Sequence, residues 1–389
     1  MKADEGERRL RYEIGPIRPP SEAYSLLIRF TRNCPWNKCE FCQLYKGRRF
    51  ERRPVAEIKE DIDAVKAIHD RVTALSWKRG EGGRLSPGLL KGIFADPRYD
   101  DFFRTVALWM YSGSKNVFIQ DANSLVMKKD DFAEALTYLR RVFPTVERVT
   151  SYGRSQTIAQ LFTADDLKRL KQAGLTRLHL GLETGADALL RYMRKGVTKA
   201  QHIAAGQLVK ESGIELSEYV IAGLGGKRWW QEHALETADA LSGIDPDFIR
   251  IRTLKVTRGM PLFEKVESGD FVLESDEEIL GELRLLIGSL NCTASTVKSD
   301  HILNLLEEVD GKLPEEKDRI LSVIDRYFEL NEEERLVFRV GRRAGVYRGT
   351  DGLADKATYE RLKKAIRQME EQAPGSVEQH LSLLLEQYI

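Results

Sequence analysis

The sequence predicts an α/β fold, namely a partial (β/α)6 barrel followed by a mostly helical C-terminal region. Six short runs of β-forming residues alternate with amphipathic helical segments, and this alternation is typical of parallel βαβ units. Six strands are fewer than the eight of a closed β/α barrel, so we expect a barrel that is open on one side. After about residue 262 the alternation stops, and highly charged helical segments follow.

The individual elements follow from local patterns. Strands are predicted where short runs are rich in β-branched and aromatic residues, at 24–30, 116–120, 148–151, 177–182, 216–222 and 248–254. Helices are predicted where apolar residues recur at helical spacing. The first predicted helix begins at Pro54. The others cover residues 99–110, 130–142, 163–173, 199–211, 231–241, 276–290, 315–330 and 356–372.

These elements predict three regions: an N-terminal arm over residues 1–22, the barrel over 23–262 and the helical region over 263–389. Prolines at positions 16, 19 and 20 argue against regular structure in the arm, which we expect at the surface. A Gly- and Arg-rich stretch over 77–96 has the character of an insertion and is a candidate lid over the barrel.

Composition excludes several classes of protein. The chain has 61 Lys and Arg against 60 Asp and Glu, so its formal charge of +1 gives no strong signal for nucleic acid or anionic membrane. It contains no apolar run long enough for a membrane span, and its start lacks the apolar core of a signal peptide. We therefore expect a cytoplasmic protein, in which grouped cysteines indicate a metal or catalytic site before disulfides.

Three of the four cysteines lie within nine residues, directly after the first predicted strand, at Cys34, Cys39 and Cys42. Three thiolates this close suit a metal or an iron–sulfur cluster, and a cubane with three protein ligands keeps one iron open to a small molecule. The position agrees with this interpretation, because parallel β/α folds gather their chemistry at the carboxyl ends of strands. A structural zinc site is the alternative, although no histidine lies nearby to complete it.

A strand, a three-cysteine loop with Phe41 before its last cysteine, and five further βα units resemble the radical S-adenosylmethionine (SAM) superfamily over roughly residues 21–262. The likeness is greatest to the branch of oxygen-independent coproporphyrinogen oxidases and radical SAM methylthiotransferases. The usual loop has three residues between its first two cysteines, whereas four separate Cys34 from Cys39.

This resemblance implies a function. Cys34, Cys39 and Cys42 would hold a 4Fe–4S cluster, and SAM would bind its open iron. Reductive cleavage of SAM would then give a 5′-deoxyadenosyl radical that abstracts hydrogen from an unidentified substrate, with a flavodoxin- or ferredoxin-type electron donor.

The resemblance also implies SAM contacts at the ends of later strands. Relatives carry a Gly-Gly-Glu-like motif after the second strand; its glycines are absent here, and Asp121 and Asn123 are the candidate acceptors for the SAM amino group. The further candidates are Ser151, Arg154, Glu183, Arg194 and Gly223. Each has a structural alternative, such as an Asx turn, a helix cap, a surface ion pair or a turn glycine.

The C-terminal region offers weaker candidates. His301 is a candidate acid or base, although Ser299 or Asp300 beside it suits a helix N-cap. Cys292 is a hydrogen-atom donor if exposed, but a lone cysteine is usually a buried apolar residue. A basic stretch comprises Arg339, Arg342, Arg343 and Arg348; we expect it to form a solvated face, and contact with phosphates or substrate carboxylates is the alternative.

Absent features narrow the hypothesis. Only Cys292 remains outside the loop, so we expect no second cluster, which argues against the methylthiotransferases. A cobalamin-binding domain is not expected either, because only a short arm precedes the first strand. Two alternatives to a radical SAM enzyme stay open. One is a protein that keeps the barrel and cluster but acts as a cofactor carrier or haem chaperone, and the other is a zinc-stabilised scaffold.

Overall fold

The computed structural model describes residues 10–386, which form two compact units. The first comprises the chain up to Asn37, Gly47–Leu180 and Leu208–Glu215. The second comprises Lys38–Lys46, Gly181–Gln207 and the chain from Leu216 onward. The predicted boundaries at residues 22 and 262 remain predictions.

Parallel strands organise both units. In the first unit β1 pairs with β4, β4 with β5 and β5 with β6, all in parallel. In the second unit β7, β8 and β9 pair in parallel and β10 joins β9 antiparallel. The strands are β1 (Leu26–Arg29), β2 (Thr31–Arg32), β3 (Glu51–Arg52), β4 (Asn116–Gln120), β5 (Arg148–Gly153), β6 (Arg177–Glu183), β7 (Glu215–Ala222), β8 (Phe248–Thr253), β9 (Thr296–Lys298) and β10 (Gly311–Lys312).

Helices connect the strands and fill the C-terminal region. They are α1 (Val55–Lys78), α2 (Pro87–Ala95), α3 (Asp101–Tyr111), α4 (Lys129–Val142), α5 (Ser155–Leu161), α6 (Ala164–Ala173), α7 (Asp187–Tyr192), α8 (Lys199–Ser212), α9 (Gly226–Ile244), α10 (Pro261–Glu267), α11 (Asp276–Ser289), α12 (Lys317–Glu329), α13 (Glu332–Arg343), α14 (Lys356–Gln372) and α15 (Ser376–Glu386). Within residues 10–386, none of them has both the length and the apolar character that a bilayer span requires.

The α/β class and the six predicted parallel strands are confirmed, with bounds that differ by a few residues. The C-terminal region is less purely helical than predicted, because β9 extends the parallel order and β10 follows it. Both strands have at most three residues, which is too short for an alternating pattern to show. The candidate lid contains α2, whose Leu89 and Ile93 are buried.

The parallel register gives the first unit one apolar sheet face and one face that mixes apolar residues with buried polar groups. Leu26, Val117 and Val149 lie side by side on neighbouring strands, and all three are fully buried. The opposite face carries Thr150 and His179, which are also fully buried. This mixed face therefore needs internal partners for its polar groups.

The last residue of the arm supplies one such partner, although most described residues of the arm are exposed or half-buried. The Glu22 carboxylate is fully buried and accepts hydrogen bonds from the hydroxyls of Ser25, at 2.5 Å, and Thr150, at 3.1 Å. It lies 3.3 Å from the guanidinium of Arg148 and 3.7 Å from the imidazole of His179. Burial opposes ionisation, but these partners outweigh it and lower the pKa of Glu22.

The predicted solvated face at the end of α13 is wrong for two of its arginines. Arg342 and Arg343 are buried. Their guanidinium groups donate to backbone carbonyls, that of Arg343 to Leu303 at 2.7 Å and that of Arg342 to Leu305 at 3.3 Å. Arg343 also pairs with Asp276 at 2.9 Å. The two guanidinium groups therefore supply hydrogen bonds to backbone carbonyls of an irregular segment, which forms few hydrogen bonds of its own.

A buried histidine on α9 ties the strand ends of the second unit together. Nδ1 of His233 accepts a hydrogen bond from the Thr184 hydroxyl at 2.8 Å. Its Nε2 donates to the Ile221 carbonyl at 3.1 Å, and because a carbonyl only accepts, Nε2 carries the proton. One helical turn later, the hydroxyl of Thr237 accepts from the Gly185 N–H at 2.9 Å. Helix α9 thus fixes the segments that follow β6 and end β7.

Protonation of His233 should destabilise the fold. Complete burial lowers its pKa to about 4, so the ring is neutral at pH 7. In the unfolded chain the imidazole has a pKa near 6.5 and binds the proton more readily than in the folded protein. The stability that the neutral His233 ring confers at pH 7 is therefore lost as the pH falls toward 4. The difference in unfolding free energy between the parent and H233N should narrow by roughly 3 kcal/mol between pH 7 and pH 4. Denaturant titrations measure it, with H380N as the exposed control; a constant difference would contradict the buried neutral ring.

Candidate functional site

Left-handed backbone marks the loops that carry the predicted site residues. Asp121, Glu183 and Arg194 have φ angles of 72°, 63° and 52°. In the cysteine loop Asn33 and Asn37 have φ angles of 67° and 49°. Non-glycine residues rarely adopt this conformation, and where they do the surrounding structure must hold them there. The strand-end loops therefore contain non-glycine residues in a strained backbone conformation, which is common at binding sites.

Cys34 belongs to the first unit and lies directly after β2. Its Sγ accepts a hydrogen bond from the backbone N–H of Asn37 at 3.3 Å. The indole of Trp36 lies under the guanidinium of Arg154, 5.0 Å from the ring centroid. This cation–π contact brings Arg154, at the end of β5, to the cysteine loop. Sequence reasoning missed Trp36, although its place between two cysteines was a usable signal.

Asp121 is fully buried and binds the start of the cysteine loop. Its Oδ2 accepts from the side-chain Nε of Arg29 and from the backbone N–H of Asn33, both at 2.6 Å. Arg29 ends β1, and Asn33 immediately precedes Cys34. These contacts support a positioning role, in which Asp121 holds the entry to the loop across two neighbouring strands.

Asn123 has a similar role at the next strand. Its fully buried side chain donates to the Thr157 hydroxyl at 2.8 Å and accepts from the Arg154 backbone N–H at 3.3 Å. It therefore fixes the turn from β5 into α5 and thereby the side chain of Arg154. Ser151 is fully buried within β5 and donates to the Tyr152 carbonyl at 3.1 Å.

Cys39 and Cys42 belong to the second unit, where Glu40 anchors the segment between them. The Glu40 N–H donates to the Met193 carbonyl at 3.0 Å, and its own carbonyl accepts from the Leu262 N–H at 2.9 Å. Its carboxylate lies 3.5 Å from the guanidinium of Arg194. Arg194 is otherwise exposed, with 61% of its side chain accessible. The predicted residue therefore reaches the cysteine loop through a partner that the sequence did not indicate.

Glu183, at the end of β6, forms an ion pair with Lys195 at 2.8 Å. Both side chains are largely buried, and the Lys195 ammonium also lies 5.6 Å from the centroid of the Phe41 ring. The pair thus connects the strand end to the residue before Cys42. Lys195 was missed, although it directly follows Arg194 in the sequence.

Glu218 is a second carboxyl in this part of the molecule that sequence reasoning missed. It is fully buried on β7, and neither of its oxygens has a hydrogen-bond partner of good geometry within the described chain. Burial and then the negative charge of Glu183 raise the pKa of Glu218 well above its usual range. Burial therefore favours the protonated, neutral form of this carboxyl group. A glutamate within a run of β-forming residues was the available signal.

Gly223 ends β7 with φ of 80°, a conformation that favours glycine. Its N–H donates to Oε1 of Glu282 at 2.9 Å. Burial and the negative charge of Glu274 hold the pKa of Glu282 well above its usual range. Burial likewise raises the pKa of Glu274 to about 7. The hydrogen bond to the Glu282 carboxyl group thus fixes the predicted glycine turn.

The two C-terminal candidates have different surroundings. Cys292 is buried, with its Sγ 3.6 Å from the Leu241 carbonyl, and burial raises the pKa of its thiol, which agrees with an apolar filler. No helix begins at residues 299–306 in the structure, so the predicted N-cap is wrong. The Ser299 hydroxyl instead donates to the Leu306 carbonyl at 2.8 Å, and Asp300 pairs with arginines of β8.

The chemistry of the donor set fits an iron–sulfur cluster. Cys39 is buried, Cys34 and Cys42 are half-buried, and Cys34 receives a backbone N–H, a contact typical of cluster sulfurs. No disulfide links any of the four cysteines. Over residues 10–386, no three His, Cys, Asp or Glu side chains converge as they would around a single metal ion.

Comparison with curated proteins finds relatives that modify tRNA. The chain is 25% identical over 269 residues to a tRNA uridine(34) acetyltransferase of Methanocaldococcus jannaschii, and the match covers 64% of this chain and 45% of that protein. It is 25% identical over 260 residues to a tRNA-2-methylthio-N(6)-dimethylallyladenosine synthase of a Sulfurihydrogenibium species, covering 64% and 53%. The chain therefore spans about half the length of these relatives.

A solved structure and a family model each match part of the chain. Coproporphyrinogen III oxidase from Escherichia coli, a radical SAM enzyme, has a TM-score of 0.45 and 15% identity, with coverage of 68% of this chain and 51% of that one. The model of the Radical SAM superfamily matches residues 107–238, which include every predicted SAM contact from Asp121 to Gly223. Residues 107–238 of the chain therefore resemble the radical SAM superfamily of enzymes.

Proposed function

We propose that the chain binds a 4Fe–4S cluster through Cys34, Cys39 and Cys42 and cleaves SAM reductively. The resulting 5′-deoxyadenosyl radical would abstract hydrogen from a substrate. The single observation that carries this proposal is the three-cysteine loop at the carboxyl end of β1, followed by the residues that match the superfamily. The bound cluster would supply the electron that breaks the sulfonium carbon–sulfur bond.

The chain's own residues would bind and orient SAM. Arg154 and Arg194 are the candidate partners of its carboxylate, because a guanidinium pairs with a carboxylate in a two-pronged arrangement. Both already contact the cysteine loop, Arg154 through Trp36 and Arg194 through Glu40. Glu183 offers carboxylate oxygens for SAM hydroxyl or amino groups, while Lys195 fixes its orientation.

Other residues would serve as supports. Asp121 and Asn123 hold the loops around Cys34 and Arg154 through their buried contacts. The Gly223 turn, held by Glu282, would fix the backbone at the end of β7 beside the bound SAM. These roles would explain why polar groups are buried at the strand ends at all.

The substrate is a separate question. The names of both curated relatives state that they modify tRNA, so bulk tRNA is the first macromolecule to include in an assay. A flavodoxin- or ferredoxin-type protein would serve as electron donor.

The proposal is tested by anoxic reconstitution with iron and sulfide, followed by dithionite and SAM. We expect about four irons per chain and formation of 5′-deoxyadenosine, quantified by chromatography. Tight haem binding without SAM cleavage would favour a cofactor carrier instead. A colourless protein with one zinc and no labile sulfide would favour a zinc scaffold.

The cysteine assignment predicts a sharp contrast between two alanine variants. C39A should lose the cluster absorbance and SAM cleavage, because two thiolates rarely retain a cubane. C292A should keep both, since Cys292 is buried against the Leu241 carbonyl and is not part of the loop. Iron content and 5′-deoxyadenosine yield measure the contrast. Full turnover by C39A would refute the ligand set.

The Glu183 assignment predicts a defect in SAM affinity alone. E183A should weaken SAM binding by about tenfold or more, because a charge-assisted hydrogen bond is lost, while iron content stays at the parent level. Equilibrium dialysis of labelled SAM measures this, with E211A as a control on the exposed surface of α8. Loss of iron with E183A would instead indicate a structural role.

A further inference from the structure

A pair of arginines on β8 lies outside every predicted SAM contact. Arg250 and Arg252 alternate along the strand, and the register places them beside Tyr219 and Ile221 of β7. All four side chains therefore share one sheet face. Ile221 packs against the buried cluster that Phe41, the residue before Cys42, also contacts. This face of the second unit is thus continuous with the segment of Cys39 and Cys42.

The two arginines are poorly compensated. Their side chains are 5% and 14% exposed, and the ion pairs they form in the described chain both go to Asp300, at 2.8 and 3.1 Å. Burial opposes ionisation of Asp300, but the two arginine charges outweigh it and lower its pKa. Two cations therefore face one anion, and an excess buried charge is costly without a counter-charge.

Arg252 also has an unused donor edge. Its Nη1 donates to the Ile251 carbonyl at 2.9 Å and to Asp300 at 3.1 Å. Its Nη2 is buried and has no hydrogen-bond partner among residues 10–386. The ring of Tyr219 supports the guanidinium from 4.9 Å. A guanidinium supported by an aromatic ring, with one terminal nitrogen paired and the other unpaired, is preorganised for an incoming oxyanion.

His301 is a neutral donor whose ionisation is opposed by burial and by the charge of Arg252. Its Nδ1 accepts from the Leu303 N–H at 3.3 Å, which leaves the proton on Nε2. Burial, and then the positive charge of Arg252, lower its pKa to about 4. At neutral pH it therefore does not add to the positive charge, and it can donate one hydrogen bond.

We propose that Arg252 binds an anionic group of the substrate, either a carboxylate or a phosphate. The assignment of this anion to a substrate rests on the proposed function. The anion site itself is independent of SAM cleavage. The site would hold the substrate on the sheet face that is continuous with the Cys39–Cys42 segment. A substrate carbon atom at a fixed distance from the anionic group would then be positioned for reaction.

Anion binding is measured by thermal melting of the full-length, anoxically purified protein. Inorganic phosphate and sodium acetate are titrated at constant ionic strength, with sodium chloride as the reference. We expect a saturable rise in melting temperature for at least one of the two anions beyond that for chloride. The larger response distinguishes the phosphate class from the carboxylate class. Responses equal to chloride for both anions would overturn the proposal.

Variants then assign the site. R252Q should raise the apparent dissociation constant at least about tenfold, and R252K should also weaken binding because it lacks the fork. D300N should tighten binding by about threefold or more, because it removes the competing negative charge. R284Q, on the exposed face of α11, should behave like the parent. If R252Q fails to fold, R252K and D300N still test the site, because R252K should raise the apparent dissociation constant of the anion and D300N should lower it.

Two outcomes would overturn the assignment even with anion binding. Unchanged affinity in R252K together with unchanged affinity in D300N would place the anion elsewhere. Competition between SAM and phosphate would show that the cation serves the SAM carboxylate. If SAM cleavage is never observed but the phosphate or acetate response follows these variants, the proposed function fails and the anion site stands.

Discussion

Parallel hydrogen bonding between successive strands is the constraint on which the rest of this molecule depends. It requires a helix after each strand and brings the carboxyl ends of neighbouring strands to one edge. Within the first unit, Asp121 therefore reaches Arg29 and Asn33 of the adjacent strand and its loop. Within the second, the ends of β6 and β7 share the His233 network. Chemistry is possible at these edges because each loop is held by its neighbours.

The sequence predicted the six main strands and most of the long helices, because their periodicity is local. It identified the cysteine loop and the strand-end residues through a likeness in order and spacing. It did not predict Glu40, Lys195 or Trp36 as the groups that contact Arg194, Glu183 and Arg154. These partners depend on how distant loops meet, which no local pattern records.

The errors have a common physical origin in buried charge. Composition suggested that Arg342 and Arg343 face solvent, yet their guanidinium groups satisfy carbonyls of a segment about forty residues away. The residues around Asp300 suggested a helix cap, yet its carboxylate lies between two arginines of β8. A charged side chain is exposed by default, and only its tertiary partners can make burial favourable.

The buried carboxylate of Glu22 has a practical consequence for shortened versions of this protein. A chain trimmed to begin at Ser25, just before the first strand, would lack the buried carboxylate that lies near Arg148, Arg177 and His179. Arg177 would keep Glu215 as a partner, whereas Arg148 and the buried hydroxyl of Thr150 would lose their contacts with Glu22. Trimming that respects the strand boundary would thus still weaken the sheet, and expression trials are better started upstream of Glu13, which neutralises Arg29 and Arg32 in the same way.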